Sequence, residues 1–232
     1  MNKVEPSQYG QIGESLNGYI RTDNITTEIK SLFRNSFGTD ITGDDIFHFV
    51  YGKLHDPAYR TAYAADLKKM LPRIDTPSSR KEFDKYAYAG KQLLNLHLSF
   101  EDADPWPLKI SVNGDTNDRE TWRVSKMKWP KERDQATGKK IDVYSRIIYN
   151  DKIVIDNIPL EANDYILGSR SALSWLIDRY QVTLDKKGKS GIINDPNDWA
   201  DEVGNPRYIV DLIAKVTRVA VETVQIVNGL EA

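Results

Sequence analysis

The chain has 232 residues, 40% of them hydrophobic and 28% charged, enough to bury a core in one large domain or two small ones. It holds no cysteine, which excludes disulfides, thiol catalysis and cysteine-ligated zinc, and no apolar run approaches the roughly 18 residues of a membrane span. A formal net charge of −2 excludes a globally basic surface, yet residues 119–152 carry ten Lys/Arg against five acids, a local +5 that leaves −7 on the rest.

Residues 1–22 are polar and weakly patterned, with no apolar signal core in Met1–Gly10, and read as irregular with strand character near Tyr19–Ile20. A helix is expected over Thr26–Phe37. Thr42 followed by Asp45 is a capping-box pattern. It opens a helix with Ile46, Val50 and Leu54 on one stripe and Phe47 and Tyr51 beside it. Asp56-Pro57 ends that helix and starts another. The expected buried face of this next helix is Tyr59, Tyr63, Leu67 and Met70, and Pro72 closes it. Ser79 and Glu82 form a second capping box, ahead of a long helix with Phe83, Tyr86, Ala87, Gly90, Leu93, Leu94 and Leu98 at its apolar positions. Residues 41–100 are thus a small helical unit, preceded by an irregular segment plus one helix over 1–40.

The pattern then changes. Leu108–Val112, Thr121–Trp129, Ile141–Tyr149 and Lys152–Ile155 read as strands, rich in Val, Ile, Tyr and Trp with partial period-two alternation. Pro130–Lys140 is a charged loop with Thr137-Gly138 near its tip, and Asn150-Asp151 reads as a tight turn between residues that tolerate positive φ. Residues 105–156 are therefore expected as an antiparallel β-meander carrying the basic segment. Over 157–232 helices return. Ser169 caps one with Ala172, Leu173, Leu176, Ile177 and Tyr180 on its face. Lys186–Ser190 and Asn194–Asp198 read as loops, with Trp199 anchoring the second in the core. Asn205 caps and Pro206 starts a final helix of about five turns, striped Ile209, Leu212, Ile213, Val216, Ala220, Val224 and Val227 and stopped at Gly229. The expected class is α+β in a single domain: helical unit, antiparallel β-meander, then C-terminal helices including one long final helix.

Catalytic constellations are missing from this pattern. The sequence has no Gly-rich phosphate loop, no dinucleotide fingerprint and no Gly-x-Ser-x-Gly elbow. His48, His55 and His97 lack recognisable ligand spacing, so no metal site is assigned. Asn205-Pro206-Arg207-Tyr208 is close to the Asn-Pro-Pro-Tyr motif of amino-methyltransferases, but Arg207 replaces the second Pro and a helix begins at once, so it reads as a cap. Asp195, Asp198 and Asp201-Glu202 could in principle bind a cation, though turns and caps account for them more simply. A basic segment on an acidic chain fits an electrostatic footprint for nucleic acid, and a solvated Lys-rich hairpin is the plainer alternative.

Several long, ordered segments carry a family resemblance. They are Asp45-Ile-Phe-His-Phe-Val-Tyr-Gly-Lys-Leu-His-Asp-Pro-Ala-Tyr-Arg60, Tyr63-Ala-Ala-Asp-Leu-Lys-Lys-Met-Leu-Pro-Arg-Ile74, Ser171-Ala-Leu-Ser-Trp-Leu-Ile-Asp-Arg-Tyr-Gln-Val182, Ser190-Gly-Ile-Ile-Asn-Asp-Pro-Asn-Asp-Trp199 and Glu222-Thr-Val-Gln-Ile-Val227. From about Asp23 to its end the chain resembles the C-terminal target-recognition (specificity) region of type ISP restriction–modification enzymes, the helicase–methylase fusion proteins. The resemblance implies a parent polypeptide with a nuclease, an ATP-driven duplex translocase and an adenine methyltransferase, using S-adenosylmethionine, ATP and Mg. None of those catalytic motifs is in this chain, so it is expected to be no enzyme by itself and to hold no cofactor. Its implied partners are double-stranded DNA and the other domains of the parent, with no membrane, in the cytoplasm.

Under a DNA-recognition reading, Arg123, Lys126, Lys128, Lys131, Arg133, Lys139, Lys140 and Arg146 are the candidate contacts in the basic segment. The lysines would position phosphates, and Arg123, Arg133 or Arg146 could read guanine in the major groove. Arg170, at the expected start of a helix, could hold a phosphate, and Lys186, Lys187 and Lys189 form a second basic group. Trp122 and Trp129 read as packing residues. The alternative is a protein–protein docking module on the helical unit, whose Tyr51, Tyr59, Tyr63, Tyr86 and Tyr88 suit an interface. A small hydrolase would need a convergent polar pocket that sequence cannot display.

Overall fold

The structure is a computed structural model that describes residues 15–16, 19–20, 24–184 and 191–231. The expected α+β class is borne out, with helices, small antiparallel sheets and one long C-terminal helix. β1 (Ser15–Leu16) and β2 (Tyr19–Ile20) pair antiparallel, and the rest of residues 1–23 lies outside the described residues. α1 (Thr27–Phe37) starts on Thr26, whose Oγ1 accepts from the Ile29 N–H. α2 (Gly43–His55) carries the full reciprocal cap. Thr42 Oγ1 accepts from the Asp45 N–H at 3.1 Å, and the Asp45 carboxylate accepts from the Thr42 N–H at 2.9 Å.

Asp56 ends α2 and caps α3 (Pro57–Ala62), its Oδ1 accepting from the Ala58 N–H at 2.9 Å. α3 is shorter than expected. After Ala62 the chain turns, and of the expected buried face only Tyr59 is buried, while Tyr63 and Met70 are 40% and 53% exposed. Helical spacing fixes which side chains share a face; it does not supply a surface to cover them.

α4 (Arg80–Leu98) is capped by Ser79, but the Glu82 carboxylate accepts from the Ser78 N–H and hydroxyl at 2.7 and 2.6 Å, so the return half of the expected box falls one residue earlier. α2 and α4 meet backbone to backbone. A Cβ on Gly90 would stand 1.8 Å from the His48 carbonyl oxygen, and one on Gly52 would stand 2.2 Å from that of Tyr86. Only glycine permits that approach. The crossing closes a core around Phe33, Ile41, Ile46, Phe49 and Phe83, whose rings pack at centroid separations of 5.5–5.9 Å.

β3 (Lys109–Val112) follows. Where a strand is expected over Thr121–Trp129, one helical turn, α5 (Arg119–Trp122), forms first, because the Asp118 side chain caps the Glu120 N–H at 3.0 Å. β4 (Lys131–Arg133) and β5 (Lys140–Asp142) make a hairpin of their own with Gly138 at φ +70° near its tip. β6 (Arg146–Ile148) and β7 (Ile153–Asp156) join β3 in a three-stranded sheet of order β3-β7-β6. The strands therefore do not run as a meander: the first pairs with the last, and the basic hairpin stands apart. The Asn150-Asp151 turn needs no positive φ, since Asn157 is the only described non-glycine residue there. Instead Asn150 Oδ1 accepts from the N–H groups of Lys152 and Ile153 at 2.9 and 2.7 Å.

β8 (Ile166–Leu167) and β9 (Arg170–Ser171) turn over Gly168. This moves the next cap from Ser169 to Ser171, whose Oγ accepts from the Ser174 N–H at the start of α6 (Ala172–Arg179). β10 (Thr183–Leu184) pairs with β11 (Ile193–Asn194). The expected loop over Asn194–Asp198 runs into α7 (Asn197–Glu202), where Asn197 and Ala200 are buried and Trp199 is half exposed rather than anchored in the core. α8 (Tyr208–Asn228) begins two residues after Pro206, because Asn205 Oδ1 accepts from the Arg207 N–H and holds one more turn outside the helix. Gly229 ends α8 with an ordinary φ of −65°.

A second core gathers Trp122, Met127, Ile147, Tyr149, Ile153, Ile155 and Leu173 against Ile209, Ile213 and Val221 of α8. Just beyond α8, Leu230 enters the first core, and Lys85 Nζ donates to its carbonyl at 3.0 Å. α8 is the shared spine of both. Among the described residues no helix is long and apolar enough to cross a membrane.

Candidate nucleic-acid interface

The site is organised by the extended run after α5. Val124 and Met127 are buried while Lys126 and Lys128 are exposed on either side of Met127, on one face by the period of two. Lys128 exchanges two backbone hydrogen bonds of 3.0 Å with Ile148 of β6, and Lys126 forms an antiparallel bridge with Gln181. The run thereby stitches the sheet to the end of α6. Asn197 fixes its start, its Oδ1 accepting from the Val124 N–H at 2.9 Å and its Nδ2 donating to the Val124 carbonyl at 2.8 Å.

A groove of about 830 Å³ follows this run, lined among others by Lys126, Lys128, Lys131, Arg170, Trp129 and Tyr144. Trp129 and Tyr144 meet edge to face at 5.3 Å, and Trp129 Nε1 donates to Ser174 Oγ at 3.3 Å. Lys131 and Asp142, opposite each other on β4 and β5, are ion-paired at 3.2 Å and both line the groove. By the strand pleat, Arg133 and Lys140 share that face, and they too stand directly opposite each other. Two cations paired across strands cost a few tenths of a kcal/mol or more. Lys139 is exposed beside them.

The remaining candidates are dispersed or engaged. Arg123 is held by Asp195 at 2.7 Å and Asp201 at 3.2 Å, and Asp201 also pairs with Arg119. Arg146 pairs with Asp156 across the sheet. Arg170 lies on β9 just before Ser171, the N-cap of α6, pairs with Asp178 at 3.2 Å and stacks 5.2 Å from the Trp175 ring. Lys186, Lys187 and Lys189 lie outside the described residues. Trp122 is buried as a packing residue, with Arg207 over its ring at 4.7 Å. Sequence reasoning missed Tyr144 and Gln181, single side chains with no pattern around them.

Among the described residues no group of His, Asp and Glu is arranged to hold a metal ion. Asp195 accepts from the backbone and side-chain amides of Asn197 as well as from Arg123. Burial disfavours its charge, but those hydrogen bonds and Arg123 outweigh it and keep its carboxyl below the usual carboxylate range. His97 joins the two halves of the molecule. Its Nδ1 meets the Tyr51 hydroxyl at 2.7 Å, and its Nε2 meets Thr223 Oγ1 and the Tyr165 hydroxyl at 3.1 Å. Burial, with His55 nearby, pulls its pKa down to about 4, so the ring is neutral at pH 7.

Residues 3–212 match the family model described as the Type ISP C-terminal specificity domain. Among solved structures, the chain is 40% identical to a nuclease-deletion mutant of the Type ISP restriction-modification enzyme LlaGI in complex with a DNA substrate mimic, with a TM-score of 0.67 over 82% of this chain and 14% of that one. It is 33% identical to the ATP-dependent Type ISP enzyme LlaBIII bound to DNA, with a TM-score of 0.68 over 82% of this chain and 11% of that one. It is 35% identical to DrdV in a DrdV–DNA complex, with a TM-score of 0.70 over 93% of this chain and 20% of that one. The chain thus spans a fifth or less of each of these proteins. A comparison with curated protein sequences gives no match. On the family model and these three likenesses together, the chain belongs to the Type ISP C-terminal specificity domain family.

Proposed function

We propose that this chain is the DNA target-recognition module of a restriction–modification enzyme, positioning a duplex for methylation and cleavage by other parts of a longer polypeptide. The observation that carries the reading is the groove lined by Lys126, Lys128, Lys131 and Arg170, in a chain 33–40% identical to proteins solved with DNA or a DNA substrate mimic. The Arg133–Lys140 juxtaposition supports it, because a phosphate between two opposed cations removes their mutual cost. In this reading Lys126, Lys128, Lys131, Lys139 and Lys140 grip phosphates. Arg123 and Arg146 already hold carboxylates, so of the three arginines Arg133 is the one left to meet DNA, at the phosphate it would share with Lys140. Residues 1–232 act as one domain with no catalytic step or cofactor of their own. S-adenosylmethionine, ATP and Mg would act elsewhere in the parent, in the cytoplasm.

The test is fluorescence anisotropy with a random-sequence duplex from about 50 to about 200 mM salt. A slope of log K against log salt near −0.9 per phosphate contact, several units in total, is expected. No binding at the lowest salt overturns the reading for this chain.

A second role is favoured by the helical unit, where Phe47, Tyr88 and Leu98 are 50%, 68% and 74% exposed. We infer that this helical unit docks against another part of the parent through such exposed side chains. Tyr59 and Tyr86 are buried and drop out of it. Phe47→Ser with Tyr88→Ser should leave the duplex affinity of this chain unchanged while lowering cleavage by the parent; lost duplex affinity would remove the docking role.

A further inference from the structure

We propose that Gln181 is a base-reading residue that selects adenine, an inference that rests on the DNA-recognition reading and adds a specificity element to it. Gln181 follows α6 and lines the groove beside Lys126, with which it forms a direct antiparallel bridge. Residues directly opposite on antiparallel segments project to the same face, so the Gln181 amide and the Lys126 ammonium stand side by side. Lys128 is two residues on and returns to that face about 7 Å along the run.

Several other polar groups of the groove already have partners within the fold. Asp178 holds Arg170, Asp142 holds Lys131, and Ser174 is bonded to Ser171 and Trp129. Both ends of the Asn163 amide are engaged, Nδ2 donating to the Tyr144 carbonyl and Oδ1 accepting from Ser171. Gln181 differs. Its Nε2 donates to the Asp178 carbonyl at 2.7 Å, three residues back, which orients the amide. Its second N–H and its Oε1 make no hydrogen bond with any described residue. An amide with one donor and one acceptor edge free matches adenine in the major groove, where N7 accepts and the N6 amino group donates. Because the amide is already held, little side-chain freedom is lost on binding. Lys126 and Lys128 would grip the backbone beside the base that Gln181 reads, which separates positioning from readout as DNA-binding proteins generally do.

The experiment selects duplexes from a randomised library with the 232-residue chain, then measures affinity for the selected site with each base in turn at every position. Wild type should prefer adenine at one position, on the order of 10- to 100-fold. Gln181→Ala should flatten that position alone. Gln181→Arg keeps a donor for the Asp178 carbonyl and should change the preference there from adenine to guanine. A general loss of affinity from misfolding would not change one base into another, so the exchange separates readout from structure. Unchanged base preferences in both variants overturn the role of Gln181 and leave DNA recognition standing. If wild type selects no sequence and binds no duplex, DNA recognition by this chain falls, and this proposal with it.

Discussion

Gly90→Ala is the most demanding perturbation of the fold, because two effects of opposite sign meet there. Alanine in a helix interior is worth about 1 kcal/mol over glycine. Against that, the new methyl carbon would lie 1.8 Å from the His48 carbonyl oxygen and 2.7 Å from the Gly52 nitrogen. Both obstacles are backbone, so no rotamer change relieves them. Restoring an ordinary carbon–oxygen contact needs roughly 1.5 Å of separation between α2 and α4 at that point. A gap of 0.5–1 Å already forfeits about a quarter to a half of the dispersion energy of the contacts it opens, and the ring packing of Phe49 on Phe83 spans this seam. Overpacking of this kind costs about 1–3 kcal/mol, and rigid neighbours on both sides place it at the upper end or beyond. A net loss of about 2–3 kcal/mol is expected in urea unfolding, against about 0.5 kcal/mol or less for Lys81→Ala on the exposed face of the same helix. A Gly90→Ala midpoint at or above that of wild type would refute the argument from close approach.

Three further outcomes are expected. Lys126→Glu with Lys128→Glu should shrink the salt slope of duplex binding by about two units while the melting temperature holds, and an unchanged slope would move the interface elsewhere. Asn197→Ala strands the buried N–H and carbonyl of Val124, so thermal unfolding should show a loss of about 3 kcal/mol; a loss under 0.5 kcal/mol would mean that the segment relaxes. His97 titrates at about 4 in the folded state and at about 6.5 unfolded, so its contribution is complete above pH 6.5 and drains as pH falls toward 4. Discounted for the partial exposure of the ring, wild type should therefore lose on the order of 1–2 kcal/mol more than His97→Gln across that interval in urea titrations, and parallel curves would contradict the neutral ring.

Local chemistry was the most legible part of the sequence. The Thr42–Asp45 box and the Asp56-Pro57 junction were readable because each is a hydrogen bond or a fixed φ within four residues. The glycine stop at α8 and the basic stretch were equally plain. What failed depended on distant partners. Thr121–Trp129 has strand composition, but Asp118 caps a helical turn at its front, and Gln181 and Ile148 supply only isolated bridges behind it. Arg123 and Arg146 looked like free cations. The two carboxylates that hydrogen-bond Arg123 lie more than 70 residues away, and the one that engages Arg146 sits across a strand pair whose order could not be read. The groove itself has no linear signature, since its lining comes from segments spread over residues 126–181.

The β4–β5 hairpin has an evolutionary consequence. Of its strand residues only Asp142 is even partly covered, no residue of the hairpin belongs to either core, and its tip opens freely around Gly138. Lengthening such a loop costs only about 0.6 kcal/mol per doubling. Substitutions and insertions there can alter what the chain touches almost without taxing its stability, whereas the same changes in α8 would disturb two cores at once. The hairpin is thus an element on which the surface of the molecule can change while both cores stay under constraint.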